Sequence, residues 1–261
     1  MKKLITFLSA AVIFTFTAIA QTETPSVSAE ESEKCFKILE NYLEIVPWHG
    51  DYSATLSMVV EKPGKPKENL QFKVFERFRD KEVFFTTVQI FPEADKGKGY
   101  LKNGENFWSY DPISRKFTHV SIKEAVGDSD VSYDDLQQAK ESYRKNYEIF
   151  AHEEGMLGKI PVDIITLKAK TSDPKYAKTR LYMRKDVPLV LKQEQLSASD
   201  RLMRTELYPK YTKVPQGYVA TQIIYRDELN KGEQTQQVIS DLTFDTLPDK
   251  IFTKAYLEGL N

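Results

Sequence analysis

The feature that most constrains this chain is a change of period at Asp51. From there on, apolar residues recur at every second position, in short runs cut apart by turn residues. Tyr52, Ala54, Leu56, Met58 and Val60 alternate with Ser53, Thr55 and Ser57. Beyond a Pro63-Gly64-Lys65-Pro66 turn, Leu70, Phe72 and Val74 alternate with Gln71 and Lys73, and Glu82 to Phe91 is rich in aromatic and β-branched residues. A period of two puts alternate side chains on opposite faces of a strand, and each run here is bounded by turn chemistry.

The stretch Gly97 to Leu136 continues the pattern and then breaks it. A short run turns at Asn103-Gly104, a second passes through Phe107-Trp108-Ser109-Tyr110, and a third, Lys116 to Ile122, follows Asp111-Pro112. Asn-Gly is a hairpin signal, and proline presets φ at the second position of a turn. This half reads as an antiparallel meander. A polar, acidic segment containing Gly127 follows, the layout of a wall with a flap beside it.

Alternation returns in Tyr147 to Ala151, Val162 to Leu167 and Leu181 to Met183. It continues in Leu189 to Gln195, Leu202 to Tyr208, Tyr218 to Tyr225 and Gln237 to Phe244. About eleven strands at regular spacing, without interleaved helices, predict an antiparallel sheet curled into a barrel or half-barrel. No fixed-period repeat suggests a propeller or solenoid. Leu247 to Phe252 looks like a closing turn, with Phe252 and Leu257 capping an open end.

Ahead of the strands the period is helical. Cys35, Phe36, Leu39, Tyr42, Leu43 and Val46 fall at steps of three and four. Ser28 or Ser32 can cap the helix, with Glu30, Glu31 and Glu33 near its positive end, and Pro47 stops it. A curved sheet leaves a concave face in need of cover, and this helix can supply it. Residues 1–20 read as a signal peptide: Lys2 and Lys3, an apolar run, and Ala18-Ile19-Ala20 before a cut after Ala20. Residues 21–29 are expected to form a disordered leader, and 30–261 a single domain in an exported protein.

Composition excludes several functions. The formal charge is −1 and the basic residues form no stripe, so no nucleic-acid footprint exists. One cysteine cannot form an internal disulfide. Cys35, on the apolar helix face, reads as an inert buried thiol. His49, His119 and His152 are far apart, with no HExxH, no CxxC, no GxSxG and no complete phosphate-binding loop. No catalytic residue, cofactor or metal is therefore expected. Asp130, Ser132, Asp134 and Glu141 match a calcium-loop spacing, but position six is Asp135 where that loop needs glycine. Helix capping by Ser132, with Asp134 and Asp135 in the first turn, is the better account. Aromatic residues, 12% of the chain, either fill the interior of the sheet or line an apolar pocket, and periodicity alone does not separate the two.

The central run resembles the outer-membrane lipoprotein-sorting family, the relatives of LolA and LolB, in its extended branch. The matching elements are Gly97-Lys98-Gly99-Tyr100-Leu101, Phe107-Trp108-Ser109-Tyr110-Asp111-Pro112 and Asp130-Val131-Ser132-Tyr133-Asp134-Asp135-Leu136. Phe91-Pro92-Glu93-Ala94-Asp95 and Leu189-Val190-Leu191-Lys192 also fit. The resemblance implies an unclosed antiparallel β-barrel of about eleven strands with a helical lid over an apolar cavity, and no enzymatic activity. It further implies acyl chains of lipoproteins or other lipids as cargo, an inner-membrane transporter as donor, an outer-membrane acceptor, and a monomer. Without a lipid-modified cysteine after the leader, the pattern favours a shuttle over an acceptor. The expected lining is Leu56, Met58, Phe72, Val74, Phe85 and Trp108, with Gly127, Tyr133 and Leu136 in the gate. An envelope sensor or protein-interaction module on the same half-barrel is the alternative.

Overall fold

A computed structural model describes residues 26–46, 50–79, 82–104, 106–129, 131–133, 135, 143–172 and 174–260. The expected signal peptide, Pro47 and Leu136 lie outside them. Among the described residues thirteen strands form one antiparallel sheet. The first wing holds β1 (Asp51–Glu61), β2 (Glu68–Arg79), β3 (Glu82–Phe91), β4 (Gly99–Asn103), β5 (Asn106–Asp111) and β6 (Lys116–His119). The second holds β7 (Tyr147–Leu157), β8 (Ile160–Ala169), β9 (Lys178–Arg184), β10 (Val190–Leu196), β11 (Leu202–Val214), β12 (Gly217–Asp227) and β13 (Gln234–Thr243). The order is β6-β5-β4-β3-β2-β1-β13-β12-β11-β10-β9-β8-β7, so β6 and β7 are the two edges and the barrel stays open. Every ladder joins sequence neighbours except the β1–β13 seam, where Leu56 faces Ile239 and Met58 faces Gln237.

The expected strand runs are all present, and the sheet has thirteen strands where about eleven are expected; the shortest, β4 and β6, have five and four residues. Asn103 pairs with Asn106, and Gly104 takes the positive φ of +59° that the tight hairpin loop requires.

Helix α1 (Ala29–Ile45) starts where Ser28 Oγ accepts the Glu31 N–H at 3.1 Å, with Glu30 and Glu31 in the first turn. Just before it, Ser26 N–H donates to the Phe150 carbonyl at 2.9 Å, which ties the start of the domain to edge strand β7. The apolar stripe of α1, Cys35, Phe36 and Leu39, is buried against Ile149, Ile165, Leu167, Leu181, Met183 and Val190. The helix therefore lies on one face of β7 to β10, termed here the inner face. Its C-terminal end continues as Val46 into a second cluster over β1 to β5 and β12. Gly217 is required at that junction, because a Cβ there would collide with the Ile45 carbonyl oxygen.

The outer face of the first wing is covered from the other end of the chain. Phe252 packs with Phe84, Leu257 with Val88, Leu101 and Tyr110, and the Ile251 carbonyl accepts from Thr86 Oγ1 at 2.9 Å. A short helix, Lys254–Glu258, carries Leu257 into the space above Gly99, where a Cβ would meet the leucine methyl at 2.6 Å. Phe252 and Leu257, expected to cap an open end, cover the outer face of the first wing instead.

Candidate functional site

Register decides which expected lining residues meet. Leu56 faces Phe72, Ala54 faces Val74, and Val74 faces Thr87, two positions along β3 from Phe85. Leu56, Met58, Phe72, Val74 and Phe85 thus share the inner face and one buried cluster, each 6% exposed or less. Trp108 does not join them. It faces Leu101 and His119, on the outer side with Leu257, and the Lys254 ammonium lies 3.4 Å from its ring centroid. The neighbour Phe107, opposite Lys102, which in turn faces Phe85, takes the inner position.

Gly127 and Tyr133, expected in the gate, lie in the crossover, residues 120–146, which links edge β6 to edge β7. Its described part is a small folded hairpin rather than a loose polar flap. Ala125 and Ser132 bridge, Val126 N–H donates to the Val131 carbonyl at 2.7 Å, and Tyr133 N–H donates to the Glu124 carbonyl at 3.1 Å. Val126, Val131 and Tyr133 are buried in the same cluster as Leu56 and Phe72. The Tyr133 ring lies 4.2 Å from Tyr100 and 5.3 Å from Phe107 between centroids. Gly127, with φ of +60°, lies so close to Leu70 that a Cβ would come within 2.7 Å of it. Outside, Asp128 accepts from Lys62 at 2.8 Å and Lys65 at 3.0 Å.

Ser132 Oγ accepts the Asp135 N–H at 3.3 Å, and its own N–H donates to Asp135 Oδ2 at 2.8 Å, closing a turn; the helix expected to follow falls on residues outside those described. Asp130, Asp134 and Glu141 of the calcium-like spacing lie outside the described residues. Among the described residues no group of three or more His, Cys, Asp or Glu could hold a metal ion.

The helical cover is fastened by polar pins. Buried His152 lies between Glu31 of α1, at 2.5 Å from Nδ1, and Asp163 of β8, at 3.0 Å from Nε2. Arg144 grips Glu33 through two bonds of 2.9 and 2.8 Å and Glu40 through one of 2.6 Å, and its guanidinium lies over the Phe36 ring. Burial pushes the Cys35 thiol up to about 11, which keeps it protonated and inert. A polar surface depression of about 640 Å³ runs along the exposed side of α1, lined by Ser28, Glu30, Glu31, Glu33, Lys34 and Lys37.

Sequence reasoning missed the charged centre of the inner face. In β11, Arg204, Glu206 and Tyr208 share that face, and Arg204 is 2% exposed. Arg204 Nη1 donates to Asp135 Oδ2 at 2.9 Å, Glu206 Oε1 lies 3.7 Å from its Nε, and Tyr208 donates to Glu206 at 2.8 Å. The signal was there: the three alternate in phase, and Tyr208 belongs to the apolar register. Burial could raise the Asp135 carboxyl, but the Arg204 charge and the Ser132 N–H hold it below its usual value. Burial pushes Glu206 the other way, above the usual 4.5, with Asp135 reinforcing and Arg204 opposing. A carboxyl whose folded value is raised stabilises the fold fully below its unfolded value and loses that contribution as pH rises through the folded value. Glu206→Gln is therefore expected to flatten the fall in melting temperature as pH rises from about 4.5. Parallel wild-type and variant melts over that range check this; identical pH slopes would refute it.

An open antiparallel sheet with a helix and a folded crossover on its inner face is the LolA-like fold. A LolA superfamily protein from Nitrosomonas europaea superposes with a TM-score of 0.69 at 22% identity, over 84% of this chain and 97% of that one. A domain named for outer membrane lipoprotein sorting from Vibrio parahaemolyticus gives 0.74 at 19%, over 87% and 99%. A DUF1329 family protein from Desulfovibrio piger gives 0.76 at 20%, over 87% and 98%. At these identities the likeness speaks for the fold. In sequence, the family model described as "Uncharacterized protein" matches residues 81–259, and the chain belongs to that family. No curated protein matches it.

Proposed function

We propose that the protein is a periplasmic carrier that shields acyl chains of lipoproteins or other lipids on the inner face of its sheet. The observation that carries this reading is how that face is covered. Leu56, Met58, Phe72, Val74, Phe85 and their neighbours are closed over by α1 and the crossover hairpin, not by a second sheet. Such covers can move aside without breaking a strand ladder. Each methylene buried in their place is worth about 0.8 kcal/mol, so a single chain gains enough to bind. The inner lining residues are each 6% exposed or less, so a chain reaches them by displacing a cover. Residues 1–20 would direct export, and transfer would run from an inner-membrane donor to an outer-membrane acceptor. Five of the six expected lining residues support the reading; Trp108, on the outer face, does not.

Native mass spectrometry of protein purified from the periplasm without detergent tests it. Bound lipid, lost on organic extraction and regained from a fluorescent fatty acid, is the expected result. Empty protein that takes up no fatty acid and co-purifies with one defined protein would overturn it in favour of a sensor.

A further inference from the structure

On the inner face of the first wing, one hydroxyl is left without a bond. Thr87 of β3 is fully buried, and its Oγ1 has no hydrogen-bond partner among the described residues. The ladders fix where it points. Thr87 faces Val74 on β2 and Tyr100 on β4, and Phe85 and Gln89 lie two positions to either side of it along the same face of β3. Tyr100 is in turn met by Tyr133 of the crossover hairpin, with 4.2 Å between ring centroids. The adjacent Thr86, on the outer face, shows the ordinary arrangement: its hydroxyl donates to the Ile251 carbonyl at 2.9 Å. A buried hydroxyl without a partner costs free energy, and a valine of nearly the same shape would not incur that cost. Strand propensity does not call for the hydroxyl either, since valine suits a strand as well as threonine. The hydroxyl is thus a liability of the covered protein. An acceptor arriving with a ligand would relieve it.

We propose that Thr87 is a polar recognition point of the inner face and donates to the carbonyl oxygen of an acyl chain's ester or amide linkage. A carbonyl only accepts, and the threonine hydroxyl brings the one donor it needs. Beyond the linkage, the methylenes lie along Phe72, Val74 and Phe85 once the hairpin is displaced. This deepens the carrier reading and rests on it. A plain hydrocarbon would cover the same wall and leave the hydroxyl unpaired. Thr87 therefore sets where along the wall the linkage stops, as well as which chains are preferred.

The test uses delipidated protein and three probes of equal chain length: methyl palmitate, N-methylpalmitamide and octadecane, each competing with a fluorescent fatty acid. Wild-type protein is expected to prefer a carbonyl probe over octadecane. Thr87→Val should weaken the preferred carbonyl probe roughly fivefold and leave octadecane unchanged. Weakening of the ester, of the amide or of both supports the assignment and names the linkage. Thr87→Ser, which returns the donor, should return the preference. Delipidated Thr87→Val should melt no lower than wild type, because it loses an unpaired hydroxyl and keeps the packing. A clear fall in its melting temperature would show the hydroxyl to be paired already and overturn the assignment. Carbonyl preference equal in wild type and Thr87→Val would overturn it too, and either result leaves the carrier reading intact. Wild-type protein that binds neither the fluorescent fatty acid nor any probe would overturn both.

Discussion

Arg77→Met is expected to cost about 3 to 5 kcal/mol of folding stability, the range for breaking a buried, hydrogen-bonded ion pair by removing one partner. Arg77 projects to the outer side of β2 and gathers the end of the chain. It grips Asp51 of β1 through two bonds of 2.9 and 2.8 Å, reaches Asp249 at 2.5 Å, donates to the Leu247 carbonyl, and lies over the Phe252 ring. The Asp249 contact contributes little, since that side chain is 85% exposed. The Asp51 pair is the costly one to break: both partners are nearly buried, and Asp51 also accepts the Leu247 N–H at 2.7 Å. Methionine keeps the stem packed and removes the charge, so chemical denaturation reads the pair itself. A midpoint unchanged from wild type would show that the C-terminal segment is seated by its apolar contacts alone.

Tyr133→Ala should have a comparable local effect and a smaller global one. Truncating a buried aromatic to alanine costs about 3 to 5 kcal/mol when the surroundings cannot collapse. Tyr133 anchors only the hairpin, so the loss should appear as hairpin opening while the ladders hold. Trypsin is expected to cut first at Lys123, at least roughly tenfold faster than in wild type, since cleavage follows the open population when reclosing is fast. Fatty-acid uptake should quicken in the same variant. Cleavage spread evenly along the chain would mean that the hairpin is part of the global core and no gate.

These two residues also mark the limits of reading the chain from its sequence. The strands and α1 were legible because a period of two or 3.6 reports directly on which side chains share a face. The choice of face was not. Phe107 and Trp108 are adjacent and both apolar, and only the pairing of Phe107 with Lys102 shows which one points inward. The crossover was misjudged for a different reason. Val126, Val131 and Tyr133 are scattered among aspartates and serines with no regular spacing, so local polarity hid a tight apolar anchor. Arg204 alternates in phase with Glu206 and Tyr208, but its partner Asp135, like Asp51 for Arg77, is distant in sequence, so neither ion pair could be read from the chain. His152 was passed over for want of a metal-binding pattern, although its task is to fasten α1.

The two ends of the chain are exchanged between the wings. α1, near the start, packs on β7 to β10 of the second wing; residues 247–257, near the end, pack on β3 to β5 of the first. Neither wing can bury both of its faces with its own length of chain. As the polypeptide is delivered from its N-terminus, the first wing waits with Phe84, Val88 and Leu101 uncovered until the final residues arrive. Any truncation at the C-terminus therefore harms the opposite half of the molecule. The long-range β1–β13 seam has two cross-braces, and separating the halves would mean breaking all three.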